Sequence, residues 1–574
     1  MKILLFYPRC LNERVTDQDH LVVPIGLYSI AALLIEKGYE VEIINCYDFD
    51  PSPENLRALF LQKKPDVIGC SVYNANRWGA LDIARIAKEI LPDSFVVFGG
   101  VAATFMWKHF LKHFDFVDAI VLGEGEYTFL NLLKELEKGK KGDISRVKGL
   151  GLRKDGQITN TGEAEFIQDL DKLPIPAKYF TYNHLSLSRG CPGNCSFCAS
   201  PRFWKRKVRF HSADYFVEEL ELLTRKGVNF FYISDDTFTL KKSLIIEVCQ
   251  KILARNLDIT WVAISRVDRI DEEVLYWMRK AGCIQISFGV ESGSEKIRQR
   301  LNKKFTTEQI VKAFELTRSY GILPRAYFIY GSPGETRQTI QESINLMQKI
   351  KPLSAVFYVL HLFPGTSLFD EYSHKFRLGD KVWLEKREDF LYFELDQKIK
   401  EKDILKFGKS LRSNFYTSLP RFALEIELKE IKEFYPLYAD FYSRLAMTFS
   451  HGDYARIETI PDKDQVAQEL YAKSLTYSPN SRAYLGLGIL AQKRGDYLDS
   501  VNILKQGVTY FPNNDMLNIC LGISFMNLGQ YDQALKHFLP FEHNPQALAN
   551  IVACYHALKD YQRRDEYQRR LEGR

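Results

Sequence analysis

The stretch SRGCPGNCSFCASP, residues 188–201, places three cysteines within eight residues and follows them with no fourth. Cys191, Cys195 and Cys198 have the spacing C-x3-C-x2-C in a segment rich in glycine and proline. A structural zinc site uses four ligands, commonly from two C-x2-C pairs, and the sequence has no second pair. Iron–sulfur clusters are also held by thiolates. A four-iron cluster bound by three cysteines leaves one iron open to another ligand, so the spacing favours a cluster, with zinc as the alternative.

The residues around this stretch alternate between short apolar runs and amphipathic helical segments. The apolar runs between residues 184 and 360 are HLSLSRG, NFFYISDD, ITWVAISR, IQISFGVES, RAYFIYG and SAVFYVL. Six strand–helix units predict an incomplete parallel (β/α)6 barrel, which we place at residues 181–370. The three cysteines directly follow the first strand. This position puts them at the carboxyl ends of the strands, where catalytic residues of such barrels collect.

Residues 1–142 repeat the alternation on a separate cycle. Five apolar strands separated by helices predict an α/β domain with a Rossmann-like, doubly wound parallel sheet. Ligands of such sheets lie beyond the carboxyl ends of the strands, which here read GCSVYN (69–74), FGGVAAT (98–104) and LGEGE (122–126). All three ends are rich in small residues. No G-x-G-x-x-G follows the first strand, which argues against a nicotinamide cofactor.

The other parts of the chain are predicted to be a linker and an all-α region. Residues 143–180 read as a hairpin, with KDGQ as its turn, and a linker, and residues 371–460 as a helical extension. In residues 461–574 the sequence GDY at 495–497 recurs as GQY at 529–531, a 34-residue interval that resembles tetratricopeptide repeats. Such repeats most often bind a peptide or another protein on their concave face. The alternative is a helical cap that packs on the enzyme.

Composition and charge argue against several classes of protein. The chain has 574 residues with 78 Lys or Arg and 72 Asp or Glu, so its net charge of +6 gives no case for a nucleic-acid partner. Ten cysteines over such a length are not a disulfide framework. We find no secretory signal at the amino terminus and no apolar stretch long enough for a spanning helix. We therefore expect a cytoplasmic protein.

The cysteine motif resembles that of the radical S-adenosylmethionine (SAM) superfamily, with an aromatic residue, Phe197, before the last cysteine. The resemblance implies that Cys191, Cys195 and Cys198 hold a 4Fe-4S cluster. It also implies that the amino and carboxylate groups of SAM chelate the open iron. Reduction of the cluster by an external electron donor then cleaves SAM to methionine and a 5′-deoxyadenosyl radical.

The ends of the later barrel strands resemble the segments that hold SAM in that superfamily. The carboxylate of Asp235 or Asp236 suits the SAM amine, and one of the two can instead cap a helix. The resemblance implies that Arg266 binds the SAM carboxylate, that Glu291 binds the ribose hydroxyls, and that main-chain groups near Ile329 contact the adenine. The full set assigned to SAM is Phe197, Asp235, Asp236, Arg266, Gly289, Glu291, Ser292 and Ile329.

The first domain resembles the cobalamin-binding domain of cobalamin-dependent radical SAM enzymes. The signature D-x-H-x-x-G, whose histidine ligates cobalt from below, is missing. The resemblance therefore implies a cobalt without a protein imidazole, with Tyr73 or Asn74 nearest its lower face. The alternative is a domain that keeps the shape and has lost the cofactor. The residues assigned to cobalamin are Ser71, Val72, Tyr73, Asn74, Gly99, Gly100, Thr104, Gly123, Glu124, Gly125 and Glu126.

These assignments predict an enzyme. The leading hypothesis is that the deoxyadenosyl radical takes hydrogen from an unactivated carbon and that methylcobalamin supplies a methyl group. One alternative is a radical cyclase or coupling enzyme with a vestigial cobalamin domain. Another is an adaptor that binds proteins through its repeats and has a silent barrel. An aromatic content of 13% suits a lipid, a tetrapyrrole or a peptide equally, so the substrate stays open among small molecules, lipids and peptides.

Overall fold

The computed structural model describes residues 1–11, 23–396 and 398–573, which form two compact units. The first unit consists of Met1–Ala313, Ala326–Leu346 and Val356–Lys409, and the second of Phe314–Arg325, Met347–Ala355 and Ser410–Arg574. The cysteine motif and all the residues assigned to cofactors lie in the first unit.

The first sheet has the strand order 2-1-3-4-5-6-7, and its first five strands are parallel. Its strands are β1 Lys2–Tyr7, β2 Glu40–Asn45, β3 Val67–Ser71, β4 Phe95–Gly99, β5 Ala119–Val121, β6 Leu150–Lys154 and β7 Gln157–Asn160. The helices of this part are α1 Ile25–Glu36, α2 Pro53–Lys63, α3 Arg77–Ile90, α4 Val101–Phe105, α5 Trp107–His113 and α6 Glu126–Leu136.

Side chains of the inner strand β1, which pairs with β2 and β3, are buried on both faces of the sheet. They alternate along the strand, so that Leu4 and Phe6 join one hydrophobic cluster while Ile3 and Leu5 join the other. Burial on both faces is typical of a parallel sheet covered by helices. The predicted Rossmann-like sheet is confirmed. Strands β6 and β7 pair antiparallel with β5 and with each other, so the hairpin foreseen in the linker extends this sheet.

The second sheet has six strands in the order 15-14-13-12-11-8, and its pairs β8–β11, β11–β12 and β12–β13 are parallel. The strands of this part are β8 His184–Leu185, β9 Ser188–Arg189, β10 Arg209–Phe210, β11 Phe230–Ile233, β12 Thr260–Ser265, β13 Cys283–Glu291, β14 Leu323–Tyr330 and β15 Ser354–Val359. The helices are α7 Ser200–Phe203, α8 Ala213–Arg225, α9 Lys242–Ala254, α10 Glu272–Lys280, α11 Glu295–Arg300, α12 Thr307–Ser319 and α13 Arg337–Ile350. The incomplete barrel is therefore confirmed.

The chain after the barrel returns to the first sheet. It contains β16 His361–Leu362, β17 Phe390–Leu391, α14 Ser367–Lys375, α15 Tyr392–Leu395 and α16 Glu401–Leu424. We call residues 380–391 the strap. The buried guanidinium of Arg77 donates hydrogen bonds to the carbonyl oxygens of Arg387 and Glu388, and the Asn74 amide donates to the Asp389 carboxylate at 2.9 Å. The strap is thus bonded to the segment that follows β3.

The second unit is helical, as predicted. Its helices include α17 Tyr435–Ser450, α18 Lys463–Tyr477, α19 Ser481–Lys493, α20 Tyr497–Tyr510, α21 Asp515–Asn527, α22 Tyr531–Phe538, α23 Pro545–Ala557 and α24 Tyr561–Glu572. A Cβ atom on Gly488 would lie 2.5 Å from Leu504, and one on Gly522, 34 positions later, 2.5 Å from Phe538. Equivalent glycines therefore let successive helix pairs approach closely, while the tetratricopeptide type of the repeat stays a prediction. None of the described helices is long and apolar enough to cross a membrane.

Candidate functional site

The cysteine loop begins one residue after β9 and folds closely around its thiols. The backbone N–H of Gly193 donates to the sulfur of Cys191 at 3.4 Å. A Cβ atom on Gly193 would lie 3.2 Å from that sulfur and 4.0 Å from the sulfur of Cys195. The N–H of Cys198 donates to the carbonyl oxygen of Cys195 at 3.3 Å. Any side chain at position 193 would therefore enter the space between the thiols.

The separation of the three sulfur atoms fits a cluster better than a single ion. Within the described ranges, one trio of potential ligands has all its ligand atoms within 4.8 Å of one another, and the cysteines are not part of it. A tetrahedral zinc ion with Zn–S bonds of about 2.3 Å would hold its sulfur atoms about 3.8 Å apart. At least one pair of the cysteine sulfur atoms is therefore more than 4.8 Å apart, which is too wide for one tetrahedral zinc ion and is compatible with ligands of separate irons.

The two aspartates after β11 have different surroundings. Asp235 is 1% exposed, and its carboxylate accepts hydrogen bonds from the backbone of Leu187 at 2.9 Å and from the hydroxyl of Ser188. Burial raises the pKa of Asp235 to about 7. Asp236 is accessible, accepts a hydrogen bond from the Ser200 hydroxyl at 2.6 Å and lines a cavity. Of the two candidates for the SAM amine, Asp236 is therefore the one with an accessible carboxylate.

A buried lysine that sequence reasoning missed lies beside the predicted ribose site. The ammonium of Lys303 is 2.8 Å from the carboxylate of Glu291 and 3.3 Å from the carbonyl oxygen of Gly289. Burial lowers the pKa of Lys303, but the Glu291 carboxylate and the Cys195 thiol outweigh it, so the pKa is raised and the amine is charged. The same ammonium lies 5.9 Å from the ring centre of Phe197. In the sequence, Lys303 is part of a pair of lysines in LNKKF. Such pairs are common at exposed helix ends, so this one did not indicate a buried charge.

The remaining residues assigned to SAM differ in how accessible they are. Arg266 forms a two-bond pair with Asp268 at 2.9 and 3.0 Å, and its guanidinium lies 3.5 Å from the Cβ position of Gly193. The hydroxyl of Ser292 is buried against Ser343 at 3.3 Å, so that side chain is engaged within the protein. Ile329 is half-buried and packs against the hydrophobic cluster of the first sheet.

A cavity of about 640 Å³ joins the carboxyl edge of the first sheet to the mouth of the barrel. This volume is within the usual range of cofactor and ligand sites. Its first-sheet side includes these residues assigned to cobalamin: Ser71, Tyr73, Gly99, Gly100, Gly123, Glu124, Gly125 and Glu126. Its barrel side includes His184, Ser188, Arg189, Gly190, Ser234 and Asp236. Asp236, which is assigned to SAM, and Gly190, which precedes Cys191, therefore border the same space as the cobalamin set.

Three residues assigned to cobalamin are not among the lining. Val72 is fully buried, and the Asn74 amide is bonded to the strap. The hydroxyl of Thr104 donates to the carbonyl oxygen of Gly100 at 2.8 Å and accepts from the N–H of Gly123 at 3.0 Å. Thr104 thus links the glycine-rich segment after β4 to the one after β5. Of the two residues expected nearest the lower face of cobalt, only Tyr73 lines the cavity, with 39% of its surface exposed.

The two glutamates of the GEGE loop are paired with arginines of the barrel. Glu124 lies 3.0 Å from Arg189 and 2.7 Å from Arg209, and Glu126 lies 2.7 Å from Arg189. All four side chains are largely buried. The sequence analysis assigned both glutamates to cobalamin binding. In the structure their ion pairs hold the GEGE loop against the residues that lead into the cysteine loop. Arg189 directly precedes Gly190 and the first cysteine, yet its sequence context did not reveal its partners.

Comparison with known proteins identifies the family. A model described as the Radical SAM superfamily matches residues 185–347, and a model described as the B12 binding domain matches residues 16–133. An uncharacterized methyltransferase of Pyrococcus horikoshii is 32% identical over 382 residues, which cover 64% of this chain and 83% of that protein. The chain belongs to the radical SAM superfamily. It is one of the members that carry a B12 binding domain.

Two further matches agree with this assignment. This radical SAM protein is 32% identical over 377 residues to the anaerobic magnesium-protoporphyrin IX monomethyl ester cyclase of Rubrivivax gelatinosus, over 62% of this chain and 67% of the cyclase. The solved structure of the cobalamin-dependent SAM radical enzyme OxsB with aqua-cobalamin bound has a TM-score of 0.59 at 16% identity, over 92% of this chain and 84% of that one. At that identity the structural match shows a shared fold. The protein is therefore an enzyme, as predicted, and its cofactors are a 4Fe-4S cluster, SAM and cobalamin.

Proposed function

We propose that this radical SAM enzyme transfers a methyl group through cobalamin to an unactivated carbon of its substrate. The proposal rests on one cavity of about 640 Å³. It lies between the mouth of the barrel and the carboxyl edge of the first sheet, which we call the glycine edge because Gly99, Gly100, Gly123 and Gly125 line it. A substrate bound there lies between the residues assigned to cobalamin and Asp236, the SAM-assigned residue of the lining, and a methyl transfer after hydrogen abstraction needs such a position. The methyltransferase of Pyrococcus horikoshii supports the same reaction class.

One set of residues is assigned to SAM and the cluster, and another set is assigned to cobalamin. When bound, SAM and the cluster would supply the radical chemistry that activates a substrate carbon, and cobalamin would supply the methyl group. The chain's own part is to hold these groups: the three cysteine thiolates bind iron, and Asp236 accepts hydrogen bonds from the SAM amine. The glycines at positions 99, 100, 123 and 125 place no side chains on their part of the first-sheet edge. The ion pairs of Arg189 with Glu124 and Glu126 hold that edge next to the cysteine loop.

The carboxylate of SAM is best matched by Lys303 together with Arg266. Arg266 is held by Asp268 beside the cysteine loop, and Lys303 is a buried cation next to Glu291 and Phe197. A carboxylate brought near the cluster would meet both cations in a region shielded from water, where charge-assisted hydrogen bonds are strong. Glu291 then has a free oxygen for the ribose hydroxyls.

Replacing Lys303 with Met should weaken SAM binding by roughly 10- to 100-fold, because a hydrogen bond to a charged group contributes about 1.5–3 kcal/mol. Iron content and cobalamin uptake should stay at wild-type levels, because Lys303 is not a ligand of either. Equilibrium binding of SAM to anaerobic, cluster-loaded protein measures the effect. The matched control is Lys304→Met at the next position, which is exposed. Equal SAM affinity in the two variants would show that Lys303 does not contact SAM.

The reaction class is tested by product mass. Anaerobic enzyme loaded with cluster and hydroxocobalamin is incubated with a reductant, trideuteromethyl-SAM and small-molecule fractions of a cell lysate, so that every transferred methyl group derives from the labelled SAM. Methyl transfer predicts a product that has exchanged one hydrogen for a trideuteromethyl group. A product that loses hydrogen and gains no labelled methyl would favour the second candidate, a cyclase or coupling enzyme, which the relative from Rubrivivax gelatinosus supports.

The proposal also includes partners and location. The substrate is a small molecule, a lipid or a peptide, and an external electron donor reduces the cluster. A protein partner is assigned to the second unit, on the basis of the 34-residue spacing of its equivalent glycines, and no nucleic acid is expected. We place the reaction in the cytoplasm, where a reducing environment keeps cysteine thiols free to bind iron.

A further inference from the structure

Three potential metal ligands converge outside the cofactor cavity. His109 and His113 lie on α5, and Asp380 begins the strap. The Nδ1 atom of His109 is 2.7 Å from one oxygen of Asp380, and the Nε2 atom of His113 is 2.6 Å from the other. Among the His, Cys, Asp and Glu side chains that the structure describes, this is the trio whose ligand atoms all lie within 4.8 Å of one another.

The fold holds the two histidines in place before any ion arrives. They are four residues apart on a helix, so their side chains lie on the same face. The His109 side chain is 4% exposed and its ring centre lies 5.8 Å from those of Phe110 and Phe114. The two imidazole centres are 4.9 Å apart. Packing therefore limits the rotation of the rings, and both present a nitrogen to Asp380.

We propose that His109, His113 and Asp380 bind a divalent metal ion of the zinc class, which fixes the strap to the first sheet domain. Imidazole nitrogen and carboxylate oxygen bind zinc at about 2.0–2.2 Å, which in a tetrahedral site separates the ligand atoms by about 3.4 Å. The present separations of 2.6 and 2.7 Å need to widen by less than about 1 Å. Three protein ligands leave a fourth position for water, and the Asp380 side chain is 36% exposed, so water reaches this ligand.

One cation already lies near the trio. The ammonium of Lys112 is 3.5 Å from an oxygen of Asp380, and its side chain is 58% exposed. Because it is so exposed, it can turn into solvent when an ion takes its place, at little cost in free energy. Without a metal, the arrangement is a hydrogen-bonded cluster of two histidines, one aspartate and this lysine. A cluster that binds no metal is therefore the alternative that the experiment must exclude.

The site would join segments that are far apart in the chain. His109 and Asp380 are separated by 271 residues, and an ion that binds only the folded protein stabilises it by an amount that grows with the logarithm of its affinity. The strap that Asp380 anchors also bonds to Asn74 and Arg77, just after the cavity residue Tyr73. A metal here therefore acts as a structural clamp on the segment that carries Tyr73. This role is separate from the reaction proposed above.

The test uses the full chain with its cluster in place, because an empty cysteine site could bind zinc itself. After treatment with a mild chelator, anaerobic protein is titrated with Zn²⁺, and the bound zinc, iron content and melting temperature are measured. The Co²⁺ absorption spectrum is recorded in parallel as a probe of ligand geometry. We expect one zinc per chain at unchanged iron content, a higher melting temperature with zinc, and a tetrahedral cobalt spectrum.

The decisive variant is His113→Gln, which can still donate a hydrogen bond to Asp380 and lacks the imidazole ligand. Zinc affinity should fall by more than the roughly 10- to 100-fold seen when an outer partner of a metal ligand is lost, and the cobalt spectrum should disappear. The control is His374→Gln, an exposed histidine of α14 outside the trio, which should behave as wild type. If wild type takes up no more zinc than His113→Gln does, the trio is a hydrogen-bonded cluster only and the proposal is wrong.

Discussion

Replacing Cys198 with Ala should lower the iron content of anaerobically prepared protein from about four atoms per chain to almost none, and should abolish release of 5′-deoxyadenosine. The loss is complete because the three thiols are the protein's own ligands in the loop around Gly193. Two remaining thiolates leave two irons open, and such a cluster is not retained. Iron analysis and the assay of 5′-deoxyadenosine with reductant and SAM measure the two effects.

The same result is expected for Cys191→Ala and Cys195→Ala. The control is Cys249→Ala, which removes a buried thiol of α9 that lies outside the loop and should leave iron content unchanged. Cobalamin uptake should survive in all these variants, since the glycine edge belongs to the first sheet. Stoichiometric zinc without iron in the wild-type protein would overturn the cluster assignment.

Replacing Gly99 with Leu should reduce cobalamin affinity by roughly 5- to 150-fold, because overfilling a packed site costs about 1–3 kcal/mol. Gly99 ends β4 and lines the cavity. A Cβ atom there would meet Val121 at an ordinary 3.8 Å, so the first atom of a side chain fits without a clash. Uptake of hydroxocobalamin followed by absorbance, with iron content measured on the same sample, gives the result.

The neighbouring Gly100 is a poorer position for this test. It has a φ of +97°, and a Cβ atom would lie 3.0 Å from the carbonyl oxygen of Val72. A side chain there would strain the backbone whether or not cobalamin binds. The control is Gly379→Leu, where a Cβ atom meets nothing within 4 Å and which is not part of the lining of this cavity. Normal cobalamin uptake by the Gly99 variant would place the corrin elsewhere than the glycine edge.

Much of the architecture could be predicted because it is encoded locally. The cysteine spacing, the glycine-rich strand ends and the alternation of strands and helices each depend on neighbours within about one turn or strand. The carboxyl ends of parallel strands share one edge, so residues that follow β3, β4 and β5 had to meet whatever the details of packing. For that reason Gly99, Gly100 and Gly123 could be placed beside one cavity before its shape was known.

Contacts between distant segments were decided by the tertiary structure alone. Asp235 and Asp236 are neighbours in sequence, and only the packing of β8 on β11 buries one and leaves the other at the cavity. Glu124 and Glu126 face arginines of another sheet, and Lys303 faces Glu291. A buried charge needs a partner, but the identity of that partner is set by which surfaces come together. The convergence of His109 with Asp380, 271 residues later, has the same physical origin.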